Sequence, residues 1–122
     1  MKEIAVAIAD DHPDYRALMV VMLKELGYRV VCAAANGAEL LQACAEQQVE
    51  LVLVDGLEAA EEFHELGIPV VLISGLPESK ELVLEEEPIA ARLMKPARPE
   101  AIQQAIEKAL ATKQGRSSEE VG

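Results

Sequence analysis

Five short apolar runs recur along the chain, Ile4 to Ala9, Arg29 to Ala34, Leu51 to Val54, Val70 to Ile73 and Ala90 to Met94, and segments with apolar residues at helical spacing separate them. Several of these runs are continuously apolar rather than alternating. Such a strand has no face to offer to water and must be covered on both sides. Strands that alternate with helical segments satisfy this as βα units on a parallel sheet, so the pattern predicts an α/β fold of the (βα)5 kind.

The helical segments differ in how sharply the sequence marks them. Tyr15, Leu18, Met19, Met22, Leu23 and Leu26 share one helical face, and Gly27 supplies a left-handed stop. Asn36-Gly37 reads as a turn or N-cap opening a second helix over about 38–47, with Leu40, Leu41 and Cys44 inward. A short third helix over about 58–66 ends at Gly67, and a fourth is confined between Pro77 and Pro88. The fifth opens at Pro99 and carries Ile102, Ala105, Ile106, Ala109 and Leu110 on one face. Beyond Thr112 the chain is polar and rich in breakers. One domain over 1–112 with a polar, flexible tail over 113–122 is the expected organisation.

Charge and hydropathy narrow the function. A formal net charge of −11 repels nucleic acid and anionic membranes, so neither is expected as a partner. The chain also leaves too little length for an appended helix-turn-helix module. No apolar run approaches the roughly 18 residues of a membrane span, and Asp10-Asp11 interrupt the N-terminal run too early for a secretory signal, so a cytoplasmic protein is expected. Cys32 and Cys44 have no metal-ligand or disulfide spacing and read as two ordinary buried thiols.

In an open parallel sheet, functional groups collect beyond the carboxyl ends of the strands. Asp10 and Asp11 end the first run, Asp55 the third, Ser74-Gly75 the fourth and Lys95-Pro96 the fifth. Any one of these is more simply a solvated loop residue or a helix cap; together they fit phosphoryl transfer, where positioning and charge neutralisation do most of the catalysis. Three carboxylates repel one another and call for a cation, and an all-oxygen site suits Mg²⁺. One carboxylate can act as nucleophile and form an acyl phosphate, with the Lys95 ammonium neutralising phosphoryl oxygens. The Ser74 hydroxyl and the Gly75 amide can donate hydrogen bonds to the same oxygens.

These residues resemble the receiver domains of response regulators and hybrid kinases in two-component signalling, over about residues 3–112. Asp10-Asp11 look like the family's acidic pair, Asp55 like its phosphoacceptor, Ser74 like its switch hydroxyl and Lys95-Pro96 like its lysine with the cis-proline that often follows. Asp10-Asp11-His12-Pro13 and Ala35-Asn36-Gly37 are also similar to family sequences. The resemblance implies a flavodoxin-like three-layer sandwich, a five-stranded parallel sheet in the order 2-1-3-4-5, and a backbone carbonyl at Leu57 completing the metal site. It implies a signalling module rather than an enzyme, in which a histidine kinase or phosphotransfer protein phosphorylates Asp55 and thereby modulates binding to a downstream protein.

Two departures from the family pattern stand out. Asp55 and Ser74 are 19 positions apart, shorter than the usual span, which carries Met-Pro and Asp-Gly before the third helix. Arg92 occupies the place of the family's aromatic switch residue, three positions before Lys95. These losses give a second reading, a degenerate receiver that binds proteins without being phosphorylated. A third, a small Mg²⁺-dependent hydrolase, lacks a separate general acid and a cap domain. Leu57 and Leu76, two positions beyond the aspartate and the serine, predict a long-lived acyl phosphate because they hinder an attacking water; a half-life of seconds would count against it.

His12 and His64 read as surface residues, and Glu85-Glu86-Glu87 as a solvated run that opposes its helix dipole. By analogy with the family, Arg92 points outward on the face of the fourth and fifth helices, where receivers commonly dimerise or bind targets.

Overall fold

Every residue of strand β1 (Ala5–Ala9) is buried, and the two sides of the strand feed two different cores. Val6 and Ile8 point into one cluster, Ala7 and Ala9 into the other. Strand β3 (Leu51–Val54) divides in the same way, with Leu51 and Leu53 on the first side and Val52 and Val54 on the second. This is the doubly covered parallel strand predicted from the apolar runs. The computed structural model describes residues 3–55, 60–74, 89–95 and 97–121, with the side chains of Ser74 and of 112–121 excepted.

The remaining elements are α1 (Pro13–Glu25), β2 (Arg29–Ala34), α2 (Gly37–Cys44), α3 (Ala60–Glu65), β4 (Val70–Ser74), β5 (Ile89–Met94) and α4 (Pro99–Val121). All strand pairs are parallel, in the order β2-β1-β3-β4-β5. Helices α1 and α4 cover the Val6/Ile8 side through Met19, Leu23, Ile102 and Ile106, while α2 and α3 cover the other through Leu40, Cys44 and Phe63. Each large apolar side chain buried in this way contributes about 1.5–3 kcal/mol. The flavodoxin-like sandwich and its strand order are as predicted.

Local signals fix the helix ends. Gly27 has φ +98°, its amide bonds Lys24 O at 3.1 Å, and the Tyr28 amide bonds Leu23 O at 3.0 Å, the paired bonds of a Schellman stop. Gly67, at φ +80°, closes α3 in the same way through His64 and Phe63. The Asn36 side chain caps α2 by accepting the Glu39 amide at 2.9 Å, and Glu39 Oε1 in turn accepts the Ala35 amide at 3.3 Å. The first of these bonds occupies an amide that the first turn of the helix leaves without a partner, and the second ties the residue before the cap to that turn.

Helix α4 runs longer than expected, with helical backbone past Thr112 to Val121 where the sequence predicts a tail. Gly115 costs a helix interior about 1 kcal/mol, but adding residues to a formed helix needs no new nucleus. The predicted fourth helix between Pro77 and Pro88 lies outside the described residues, as does the Glu85-Glu86-Glu87 run. No helix among the described residues is long and apolar enough to cross a membrane.

Candidate functional site

Asp10 follows the last residue of β1 and is the one buried polar or charged residue among those described. Its backbone amide continues the β1–β2 ladder to Ala34 O at 3.0 Å, which fixes the backbone before the side chain is placed. Oδ1 accepts the His12 amide at 2.8 Å, and the Asp10 carbonyl accepts Arg16 Nη1 at 2.8 Å. Both donors belong to the start of α1. The strand end and the helix start are therefore tied together through one aspartate.

Asp55 follows β3, the neighbour of β1 in the sheet, so the two strand ends lie side by side. Its amide bonds Ala9 O at 3.2 Å. The Asp11 amide donates to Asp55 Oδ2 at 3.3 Å, and Lys95 Nζ stands 3.9 Å from that same oxygen. Lys95 is closer to Asp10, at 3.1 Å from Oδ2, an ion pair whose alignment does not make a hydrogen bond. One carboxylate oxygen from each of Asp10, Asp11 and Asp55 lies within 4.8 Å of the others. Burial raises the Asp55 carboxyl above the ordinary range; the Asp11 amide opposes that shift, and the charges of Asp10 and Asp11 add to it.

The donor set tests the metal expectation. It holds only carboxylate oxygens, and Asp10 Oδ2 is buried without a hydrogen-bond donor. A hard divalent cation is what such a set accepts. The residues fit.

Ser74 ends β4 with its backbone paired to Met94, one position before Lys95, so the register brings it to the same edge of the sheet. Leu57, Gly75, Leu76 and Pro96 lie outside the described residues. Arg92 is half-buried and pairs in register with Leu72, whose side chain belongs to the α2/α3 side. His12 is exposed and N-caps α1 without a side-chain bond, and His64 is half-buried rather than fully solvated. Cys44 is buried and Cys32 half-buried. Burial pushes both thiols up, Cys44 to about 11 with a further contribution from Cys32, so neither is a reactive thiolate at neutral pH.

Two contacts escaped the sequence reading. Arg16 holds the Asp10 carbonyl, and Tyr15 lies under Lys95 with its ring centroid 4.9 Å from Nζ. Helical periodicity marked Tyr15 only as a core-facing residue. Its place in the first turn after an acidic pair is the signal that could have singled it out.

Comparison with known proteins agrees with this fold. The response regulator receiver domain family matches residues 6–107. The chain is a response regulator receiver domain. The BvgA virulence-factor transcription regulator of Bordetella pertussis is 32% identical over 83 residues, 61% of this receiver and 40% of BvgA, so the receiver spans well under half of that relative. Among solved structures, the receiver domain of a modulated diguanylate cyclase from Desulfovibrio desulfuricans G20 superposes with TM-score 0.85 at 22% identity, covering 94% of this receiver and 99% of that chain. The anti-anti-sigma factor PhyR from Bartonella quintana gives 0.83 at 25% identity, covering 97% of this receiver and 51% of PhyR. A receiver is a signalling module that works through kinases or other proteins.

Proposed function

We propose that this receiver accepts a phosphoryl group on Asp55, with Mg²⁺ held by Asp10, Asp11, Asp55 and the Leu57 carbonyl, and that the modification changes its affinity for a protein target. The observation that carries this reading is the Asp55 carboxylate between the Asp11 amide and the Lys95 ammonium, beside two further carboxylates. That arrangement gains from added positive charge and from a group that draws Lys95 toward it. A structural ion pair alone gives no reason for three carboxylates.

A histidine kinase or phosphotransfer protein supplies the phosphoryl group. An Asp55 oxygen attacks phosphorus, the P–O bond forms as the P–N bond of the phosphoimidazole breaks, and the imidazole nitrogen keeps the bonding pair and takes up a proton. Oδ2 already faces the Asp11 amide and Lys95, so Oδ1 is the nucleophile in this reading. Lys95 balances charge on the transferred group, and the Ser74 hydroxyl donates to it. Bound Mg²⁺ would neutralise phosphoryl oxygens and the carboxylate cluster.

The test is intact mass after incubation with Mg²⁺ and acetyl phosphate, for wild type and Asp55→Asn. One phosphate adduct, absent in the variant, is expected. Mg²⁺ binding without any adduct would instead favour the phosphorylation-independent docking module that Arg92 and the short span after Asp55 suggest.

A further inference from the structure

Lys95 has a third neighbour besides its two carboxylates. The ammonium stands 4.9 Å from the centroid of the Tyr15 ring, while Asp10 Oδ2 and Asp55 Oδ2 are at 3.1 and 3.9 Å. The hydroxyl of the same tyrosine accepts the Ala97 amide at 3.3 Å, across 82 positions of sequence. One side chain thus touches both the lysine and the turn that leads from β5 into α4.

The chemistry of the contact matters. A lysine stem has four rotatable carbons, and an ammonium beside two carboxylates has competing places to settle. An aromatic face attracts the ammonium through its quadrupole without neutralising it, so the charge stays available to another anion. The ring itself is well fixed. Tyr15 sits in the first turn of α1, which the His12 amide and the Arg16 guanidinium tie to Asp10, and it packs half-buried against the core. Strand β5 offers Arg92 rather than an aromatic near the lysine, so this aromatic contact comes from α1.

We propose that Tyr15 is the positioning residue for Lys95: its ring seats the ammonium between Asp10 and Asp55, and its hydroxyl anchors the β5–α4 turn, so that the positive charge is in place before a phosphoryl group arrives. The consequence for phosphorylation rests on the phosphoacceptor reading above, whereas the seat itself does not.

The experiment has a spectroscopic and a functional arm. In NMR spectra, the ring current of Tyr15 shifts the Lys95 ε-methylene protons upfield in wild type and in Tyr15→Phe, and the shift disappears in Tyr15→Leu. Labelling by acetyl phosphate slows about three- to tenfold in Tyr15→Leu, a factor matching a partly desolvated cation–π contact, and Tyr15→Phe, which keeps the ring and the packing, restores most of the rate. An unseated ammonium falls onto the carboxylates and competes with the cation, so Tyr15→Leu weakens Mg²⁺ binding severalfold with Lys95 present and leaves it unchanged in a Lys95→Met background.

Unshifted Lys95 protons in wild type, or an equal loss of Mg²⁺ affinity with and without Lys95, would overturn the proposal. A wild-type protein that takes no label would defeat the phosphoacceptor reading, and the ring-current shift would still decide whether Tyr15 seats Lys95.

Discussion

Asp55→Asn should make the metal-free domain more stable, although it removes a group from an ion pair. The Asp55 carboxylate has oxygens of two other carboxylates within 4.8 Å and one ammonium at 3.9 Å. With an effective dielectric constant near 20, each repulsion is worth about 3.5 kcal/mol and the attraction about 4 kcal/mol, leaving about 3 kcal/mol of net repulsion. The Asp55 side chain is 21% exposed, so water and salt reduce this to about 1–2 kcal/mol. Asparagine has nearly the same shape and keeps an oxygen for the Asp11 amide, so no hydrogen bond need be lost. For a domain of this size the gain corresponds to a rise in Tm of about 5–10 °C.

The assay is thermal unfolding followed by circular dichroism in EDTA, repeated with Mg²⁺ and across pH. Because the fold raises the Asp55 carboxyl above its ordinary range, the folded state holds that proton more tightly than the unfolded chain does. The contribution of Asp55 is therefore most favourable below the ordinary carboxylate range and is lost as pH rises through its raised value. The advantage of Asp55→Asn should accordingly be small near pH 4 and grow toward pH 7. Mg²⁺ should shrink or reverse it, since a ligand that binds the folded wild type stabilises that form alone. A variant that melts at or below wild type in EDTA at pH 7, or an advantage independent of pH, would refute the electrostatic account.

Other perturbations probe the scaffold. Ile106→Ala, which empties a fully buried position in the core that also holds Met19 and Leu23, should cost about 2–5 kcal/mol by chemical denaturation. A cost under 1 kcal/mol would mean that α4 is not docked there. Gly27→Ala meets no atom within 4 Å, yet φ +98° strains any side chain, so a loss of about 1 kcal/mol comes from backbone alone and should appear as a lower Tm with an unchanged spectrum. Asn36→Ala removes the cap of α2 and should cost about 1 kcal/mol, seen as faster amide exchange in the first turn of that helix.

How much of this was legible in advance depends on the range of each interaction. β2 and β3 have the predicted boundaries, and α4 buries the predicted Ile102, Ala105, Ile106 and Ala109, because apolar periodicity records which side of an element meets the core. Asp10, Asp11, Asp55 and Lys95 converge because strand ends in a parallel sheet converge whatever lies between them. The Tyr15 contact was not legible in this way. It depends on the path of the turn after β5 and on the rotation of α1, which are set by packing across 80 positions of chain rather than by any local pattern. The longer α4 was missed for the opposite reason: the polar run after Thr112 contains nothing that requires a helix, and the breakers it holds, Gly115 among them, cost too little to stop a helix already formed.

The site and the core are connected energetically as well as geometrically. The carboxylates gather because β1 and β3 pair side by side, and those strands are held by Val6, Ile8, Leu51 and Leu53, all fully buried. At about 1.5–3 kcal/mol each, these four side chains outweigh the few kcal/mol of repulsion that the cluster imposes. The fold can therefore hold three anions together in a form that isolated chains would not adopt. The repulsion then adds to the affinity of whatever neutralises it: a cation bound there relieves strain that the apolar strands have already balanced. By the same reasoning, weakening the core under the site should loosen the cluster and lower Mg²⁺ affinity without altering any ligand. Leu53→Ala, which leaves Asp10, Asp11 and Asp55 in place, should lose Mg²⁺ affinity along with stability; full affinity in a destabilised but folded variant would show that the backbone ties at Ala9, Ala34 and Asp11 hold the carboxylates by themselves.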